Sequence, residues 1–283
     1  MKNLMRISKF AELSGIPRKN LIEYDKIGIL KPVYSDVENR YRYYSYQQLE
    51  IAMLIKIFRE LEIPLKEIKM YIEQRSPSKF MELCEEQKKK IEKKIERLYH
   101  LNMILEAHMK KTAEGIHVHS QEICQKTWEE ERIFPGNPLP PLNEGMDLWN
   151  HYYDFLSLCE THHIPPGFPT GIVVCPEKMR DNSQTAAKCF YCKLPADFSC
   201  ERMTIKPAGL YVVGHDSQSG SFSDQYYKKM FDYVERHFLT VIGDGYEFYL
   251  LDELSFLDPH KYLVQISIPV RISSRGDRKN SQA

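Results

Sequence analysis

Along the first third of the chain the apolar positions recur with the spacing of helices. In RISKFAELSG, Phe10 and Leu13 fall on one side of a short helix that Ser8 is placed to cap and that Ser14 and Gly15 end. Pro17 suits the first turn of a second helix, in which Leu21, Tyr24 and Ile27 share a face and Gly28 stops the element. Two short helices about a glycine-containing turn make a helix-turn-helix pattern. The next stretch is rich in turn residues and closes on Arg40, Tyr41, Arg42, Tyr43 and Tyr44, interleaving basic and aromatic groups like a wing. Core-covering helices are predicted at about 47–61, through Leu49, Ala52, Met53, Ile57 and Leu61, and at about 65–74. From Pro77 to about Lys111 one charged helix repeats Cys84, Ile91, Leu98 and Leu105 every seven residues, with Ile95 and Leu101 filling the same side. That coiled-coil seam needs a partner, and a second copy of the chain is the simplest one.

Beyond residue 113 the pattern changes. An extended segment near 116–124 precedes a Pro-rich connector, TWEEERIFPGNPLPPL, and then a helix at 147–159 through Leu148, Tyr152, Phe155 and Cys159. GIVVC at 171–175 and CFYCKL at 189–194 read as strands. A strand at 209–215, a helix at 223–239 and strands at 246–251 and 262–270 follow. Two successive strand–helix–strand–strand units imply a pseudo-symmetric α+β domain on one antiparallel sheet. The fold class is therefore α followed by α+β: a winged helix-turn-helix at 1–76, a coiled-coil dimerisation helix at 77–113, and a sheet domain at 114–283 whose segment 114–144 includes the connector.

One strand is chemically odd. In DGYEFYLLDEL, Phe248 and Leu250 lie on one face while Glu247, Tyr249 and Leu251 share the other, so a carboxylate stands among apolar neighbours. Such an acid either shifts its pKa or finds a cation, whereas Asp252 and Glu253 close the strand and are expected in solvent.

Composition sharpens this division. The chain has 283 residues, 42% hydrophobic and 28% charged, which suits two folded domains. Residues 1–113 carry 23 Lys+Arg against 16 Asp+Glu, so +7; subtraction from the totals of 39 and 39 leaves 16 against 23, so −7, for 114–283. The first part is thus suited to a polyanion and the second is not. No run approaches the roughly 20 apolar residues of a membrane span and no secretory signal is evident, so the expectation is a cytoplasmic protein without membrane contact. Seven scattered cysteines fit reduced thiols rather than a disulfide framework. Cys189 and Cys192 have C-x-x-C spacing with Cys200 beyond, yet positions three apart in a strand face opposite ways. His117 and His119, and His162 with His163, form no ligand set, so no metal and no cofactor is expected. Nucleophile elbows, phosphate-cradling glycine loops and metal-protease motifs are missing, which argues against an enzyme.

The helix-turn-helix, the RYRYYS wing, the ELEIPLKEIK helix pair and the long helix, kept in that order over roughly the first 110 residues, resemble the MerR family of transcription regulators, and most of all its multidrug-sensing, BmrR-like branch. The resemblance implies a cytoplasmic homodimer on double-stranded promoter DNA that activates by distorting the promoter for RNA polymerase. It implies Tyr24 and Arg42 as DNA contacts, with Tyr41 and Lys56. The family's Arg-Tyr-Tyr run is replaced here by Ile22, Glu23 and Tyr24, so Arg18 and Lys19 are expected to restore the lost charge. Residues 116–270 resemble the GyrI-like effector-binding domain, with GYEFYLL placing Glu247 at a buried position that receives lipophilic cations and Tyr152 and Tyr262 at aromatic positions of the pocket. Phe190, Tyr191, Tyr227 and Tyr249 are further candidate walls, each ring offering cation–π attraction of roughly 0.5–2 kcal/mol. Two alternatives stay open: a GyrI-like hydrolase using Glu247 and tyrosine hydroxyls as an acid–base set, and a metal- or redox-sensing regulator using the cysteines.

Overall fold

The computed structural model describes residues 4–118, 122–140, 147–181, 186–195, 198–217 and 224–273, and the chain divides into two compact units, Met1–Glu96 and Arg97–Ala283.

In the first unit, strands β1 (Leu4–Arg6), β2 (Tyr34–Ser35) and β3 (Arg42–Ser45) form a small antiparallel sheet in the order β1-β3-β2. Helices α1 (Ile7–Ser14), α2 (Arg18–Ile27), α3 (Gln48–Glu60) and α4 (Leu65–Glu73) pack around it. Gly15 and Gly28 end α1 and α2 in the left-handed conformation, at φ 67° and 84°, where a side chain would be strained. Ser8 does not cap α1. Met5 and Ile7 are both buried, so β1 runs directly into the helix and the N-cap falls on Arg6, which makes no side-chain cap. Leu13, expected on the buried side, is exposed, while Phe10 is fully buried and stacks on Tyr44 with ring centroids 4.5 Å apart. Leu21, Ala52, Ile55, Phe58 and Ile68 complete this core.

Helix α5 (Pro77–Ile116) is a 40-residue helix that continues five residues past its expected end. Gly115 explains the added turn: a Cβ there would lie 2.7 Å from the Leu251 side chain, so only glycine lets the helix press so closely on the sheet. Ile91, Ile95, Leu98, Leu101 and Leu105 are all exposed in the single chain.

The second unit is built on one nine-stranded antiparallel sheet. Its strands are β4 (Ile123–Trp128), β5 (Glu131–Pro135), β6 (Thr170–Val174), β7 (Ala187–Lys193), β8 (Thr204–Lys206), β9 (Gly209–Asp216), β10 (Leu239–Val241), β11 (Gly245–Leu251) and β12 (Leu263–Ile272), in the order β4-β9-β12-β11-β6-β7-β5-β8 with β10 beside β12. Helices α6 (Asp147–Thr161) and α8 (Asp224–Arg236) cover one face, and a short helix α7 (Pro176–Asp181) follows β6. The expected duplication is present: β5-α6-β6-β7 corresponds to β9-α8-β11-β12, and the halves meet where β6 pairs with β11.

The leading strand of the first half lies elsewhere than expected. Residues 131–135, assigned to the connector, form β5, which alternates Ile133 and Phe134 onto opposite faces beside β7. Of the extended segment predicted at 116–124, residue 116 belongs to α5 and residues 123–124 open β4, while 119–121 lie outside the described residues. The helix predicted to reach 239 stops at Arg236, and Leu239–Val241 pairs with β12 instead. Leu251 was placed on the face of Glu247; a bulge between Tyr249 and Leu251, where two residues meet one step on β12, turns it to the opposite face.

Candidate functional site

The basic residues expected to meet DNA lie on α2, α3 and the wing. Arg18 and Lys19 begin α2 and stand in solvent. Lys56 on α3 is exposed, with Nζ beside the turn glycine Gly15. Tyr41 is exposed on the wing, and the Arg6 guanidinium lies 5.4 Å from its ring centroid, a contact the sequence reading missed. Arg42 donates from Nε to Asp25 at 2.7 Å, tying the wing to the end of α2. Tyr24 is not on this surface. It is 5% exposed with its ring packed beside Leu21 in the core, and burial raises its hydroxyl pKa. The family resemblance made Tyr24 a recognition candidate, whereas its helical spacing with Leu21 turns its ring inward.

The second unit holds a cavity of about 630 Å³ on the helix-covered side of the sheet, at the junction of the two halves. Its floor comes from Gly171 and Ile172 on β6 and from Glu247 and Tyr249 on β11. Glu247 pairs in register with Ile172, on the axis of the duplication. Gly171 lets the strands approach, because a Cβ there would meet the Glu247 carbonyl at 2.4 Å and the Tyr191 ring at 2.6 Å. One wall comes from Leu148 and Tyr152 on α6, with Phe190 of β7 meeting Tyr152 edge-on at 5.4 Å. Residues 167–169 before β6, Thr170 at its start and the segment after β11, with Tyr262, close the rim. Tyr262 stands one residue before β12 rather than on it.

Glu247 is 2% exposed, and neither carboxylate oxygen has a hydrogen-bond partner among the described residues. Burial first, and then the negative charge of Asp216, push its pKa up to about 8. Helix α5 adds two residues that sequence reasoning missed. Lys111 forms a buried ion pair with Asp252, and His108 bonds through Nε2 to the Gly167 carbonyl at 2.8 Å. Asp252, expected in solvent, is therefore a paired wall residue; Glu253 is exposed, as expected. Nothing in the sequence marked these two positions of α5, since their partners lie more than fifty residues away in the chain.

Five of the seven predicted pocket residues, Glu247, Tyr152, Tyr262, Tyr249 and Phe190, line this one cavity. Tyr191 and Tyr227 do not. Tyr191 follows Phe190 in a strand and so points to the other face, where it meets Tyr246 edge-on at 5.7 Å. Tyr227 is fully buried on α8 within the helix-covered core.

The opposite face of the sheet holds a second, half-buried acid. Glu131 accepts from Lys193 at 2.9 Å and Lys206 at 3.0 Å, and Lys206 sits about 5 Å from the rings of Trp128, Tyr211 and Tyr246. Burial pushes the Glu131 pKa up, but the two ammonium groups outweigh it and hold the acid below its ordinary range. Cys189 and Cys192 fall on opposite faces of β7, and His117 follows α5 while His119 lies outside the described residues. Among the described residues, no three His, Cys, Asp or Glu side chains are grouped to hold a metal, and no helix is long and apolar enough to cross a membrane.

Residues 5–75 match the MerR HTH family regulatory protein. The multidrug-efflux transporter 2 regulator of Bacillus subtilis is 28% identical over 254 residues, covering 90% of this chain and 92% of its own length. The multidrug-efflux transporter 1 regulator of the same organism is 40% identical over 63 residues, 22% of this chain and 23% of its own. A solved EcmrR–DNA complex covers 95% of this chain and 100% of its own at 18% identity, with a TM-score of 0.42. The winged helix-turn-helix at residues 5–75 is thus a MerR-family regulatory module.

Proposed function

We propose that the chain is a cytoplasmic, homodimeric, ligand-responsive regulator that holds promoter DNA through the winged module and senses a lipophilic cation in the cavity of its second unit. Glu247 carries this reading: an acid buried in an aromatic cavity, with no partner among the described residues, is complementary to a cation that brings its own apolar surface. Tyr152, Phe190, Tyr249 and Tyr262 supply ring faces for the same charge. The name of the similar Bacillus regulator, which refers to a multidrug-efflux transporter, agrees with a lipophilic effector. The exposed seam of α5 is the surface on which a second copy docks.

Ligand reaches DNA through α5, whose His108 and Lys111 form part of the cavity wall. The ligand favours the state in which promoter DNA is bent for RNA polymerase, and its differential affinity for the two states supplies the energy of that deformation. Arg18, Lys19, Tyr41, Arg42 and Lys56 contact the backbone, so replacing an exposed lysine or arginine among them with alanine lowers the salt dependence of operator binding by about one ion. Calorimetric titration of lipophilic cations, neutral isosteres and anions into the wild type and Glu247→Gln tests the effector half. Cations bind tightest to the wild type and lose that advantage in the variant; equal binding of all three classes to both proteins would end the cation-sensing reading.

A further inference from the structure

Two sets of unsatisfied acceptors border the same cavity from different elements. Glu247 on β11 brings two carboxylate oxygens, and His108 on α5 brings Nδ1; all three atoms are buried with no partner among the described residues. The histidine ring is fixed by its other nitrogen. The Gly167 carbonyl can only accept, so Nε2 carries the hydrogen and Nδ1 of the neutral ring is left a bare acceptor. The cationic donor of the wall, Lys111, is already held by Asp252. Since Glu253 stands in solvent, Glu247 is the buried acid of the cavity wall with no counter-charge among the described residues, and a ligand that displaces its proton brings a single positive charge.

A buried acceptor without a donor is costly, and a charged N–H group removes that cost more effectively than a neutral one. A fully alkylated cation satisfies the charge and leaves every acceptor unpaired. Size acts in the same direction. The Glu247 oxygens are closed to solvent in this structure, so a compact N–H group reaches them with less displacement of the aromatic wall than a head sheathed in methyl or phenyl groups.

We propose that the cavity selects, among lipophilic monocations, those whose charged nitrogen bears N–H bonds, such as protonated amines and amidinium groups, over quaternary ammonium and phosphonium ions. This specificity rests on the cation-sensing reading above and goes beyond it by naming the head group.

The test uses the full-length protein and three probes with one aromatic body: 1-naphthylmethylamine, its N,N,N-trimethyl ammonium derivative, and 1-naphthylmethanol, titrated calorimetrically at pH 7.5. The amine is expected to bind about tenfold or more tightly than the trimethyl ion, as one charge-assisted hydrogen bond allows. In His108→Phe, which keeps an aromatic ring and removes the acceptor, the ratio falls to about threefold. In Glu247→Gln both cations fall to the affinity of the alcohol. A trimethyl ion that binds as tightly as the amine overturns the head-group selectivity while leaving cation sensing intact. Two cations that bind no better than the alcohol to the wild type overturn both. If His108→Phe fails to fold, the wild-type ratio of amine to trimethyl ion decides alone.

Discussion

Glu131 and Glu247 are both glutamates on strands of one sheet, and they stand in opposite states. Glu131, on the face away from α6 and α8, is held between Lys193 and Lys206 and kept ionised. Glu247, on the helix-covered face, meets no cation among the described residues and is pushed up to about 8. The same side chain thus serves as a structural tie on one face and as a group awaiting a partner on the other. What separates them is the supply of positive charge: Lys206 turns into the Glu131 face, whereas the lysine nearest the cavity is taken by Asp252. A buried acid left unpaired signals function more strongly than one satisfied within the fold.

The largest expected effect comes from destroying the satisfied member. Glu131→Gln leaves Lys206, 2% exposed at its side chain, in an apolar cage without its counter-charge, and should lower stability by about 3–5 kcal/mol in urea denaturation. Loss below about 1 kcal/mol would remove the distinction between the two acids. Replacing the unsatisfied member should do the reverse. Because the folded-state pKa of Glu247 is raised, the unfolded chain loses its proton near the ordinary carboxyl range while the folded chain keeps it to about 8. Wild-type stability therefore falls relative to Glu247→Gln by up to about 1.4 kcal/mol per pH unit between roughly pH 5 and 8. The variant is expected to be more stable by about 3 kcal/mol at pH 7, and thermal denaturation at pH 5 and pH 7 reads the change in that difference.

Ligand binding should show the same proton. Below about pH 8 a cation must displace it, so the affinity of a permanently charged probe rises up to tenfold per pH unit from pH 6 and levels above 8. A flat profile would mean that the acid is already ionised or is not in contact with the ligand. The smallest effect separates neighbouring strand residues. Tyr152→Leu removes a cavity ring and weakens cation binding by about 0.5–2 kcal/mol, while Tyr191→Leu, on the other face, lowers stability and leaves the dissociation constant within about twofold.

Much of this was legible in the chain itself. The helical periods through Phe10, Leu21 and Ala52 located part of the first core, although Met53 and Ile57, read on the same side as Ala52, are exposed, and the alternation of GYEFYLL placed Glu247 and Tyr249 on one face opposite Phe248. The misplaced features share a cause. Residues 131–135 read as connector because the prolines after them outweigh a short strand whose apolar residues matter only once β7 lies alongside. Leu251 was assigned by strict alternation, which a bulge set by pairing with β12 interrupts. Tyr191 and Tyr227 were chosen for their aromatic character, which is shared by residues of any core.

By itself the sequence determined the order of modules, the duplicated sheet domain and the presence of an acid among apolar neighbours, because each is written in local periodicity and composition. Only the tertiary structure decided which acid is paired. Lys206 lies 75 positions from Glu131, and Lys111 lies 141 positions from Asp252. Whether a buried carboxylate is neutralised depends on which cation arrives within about 4 Å, a distance that folding sets and sequence separation does not.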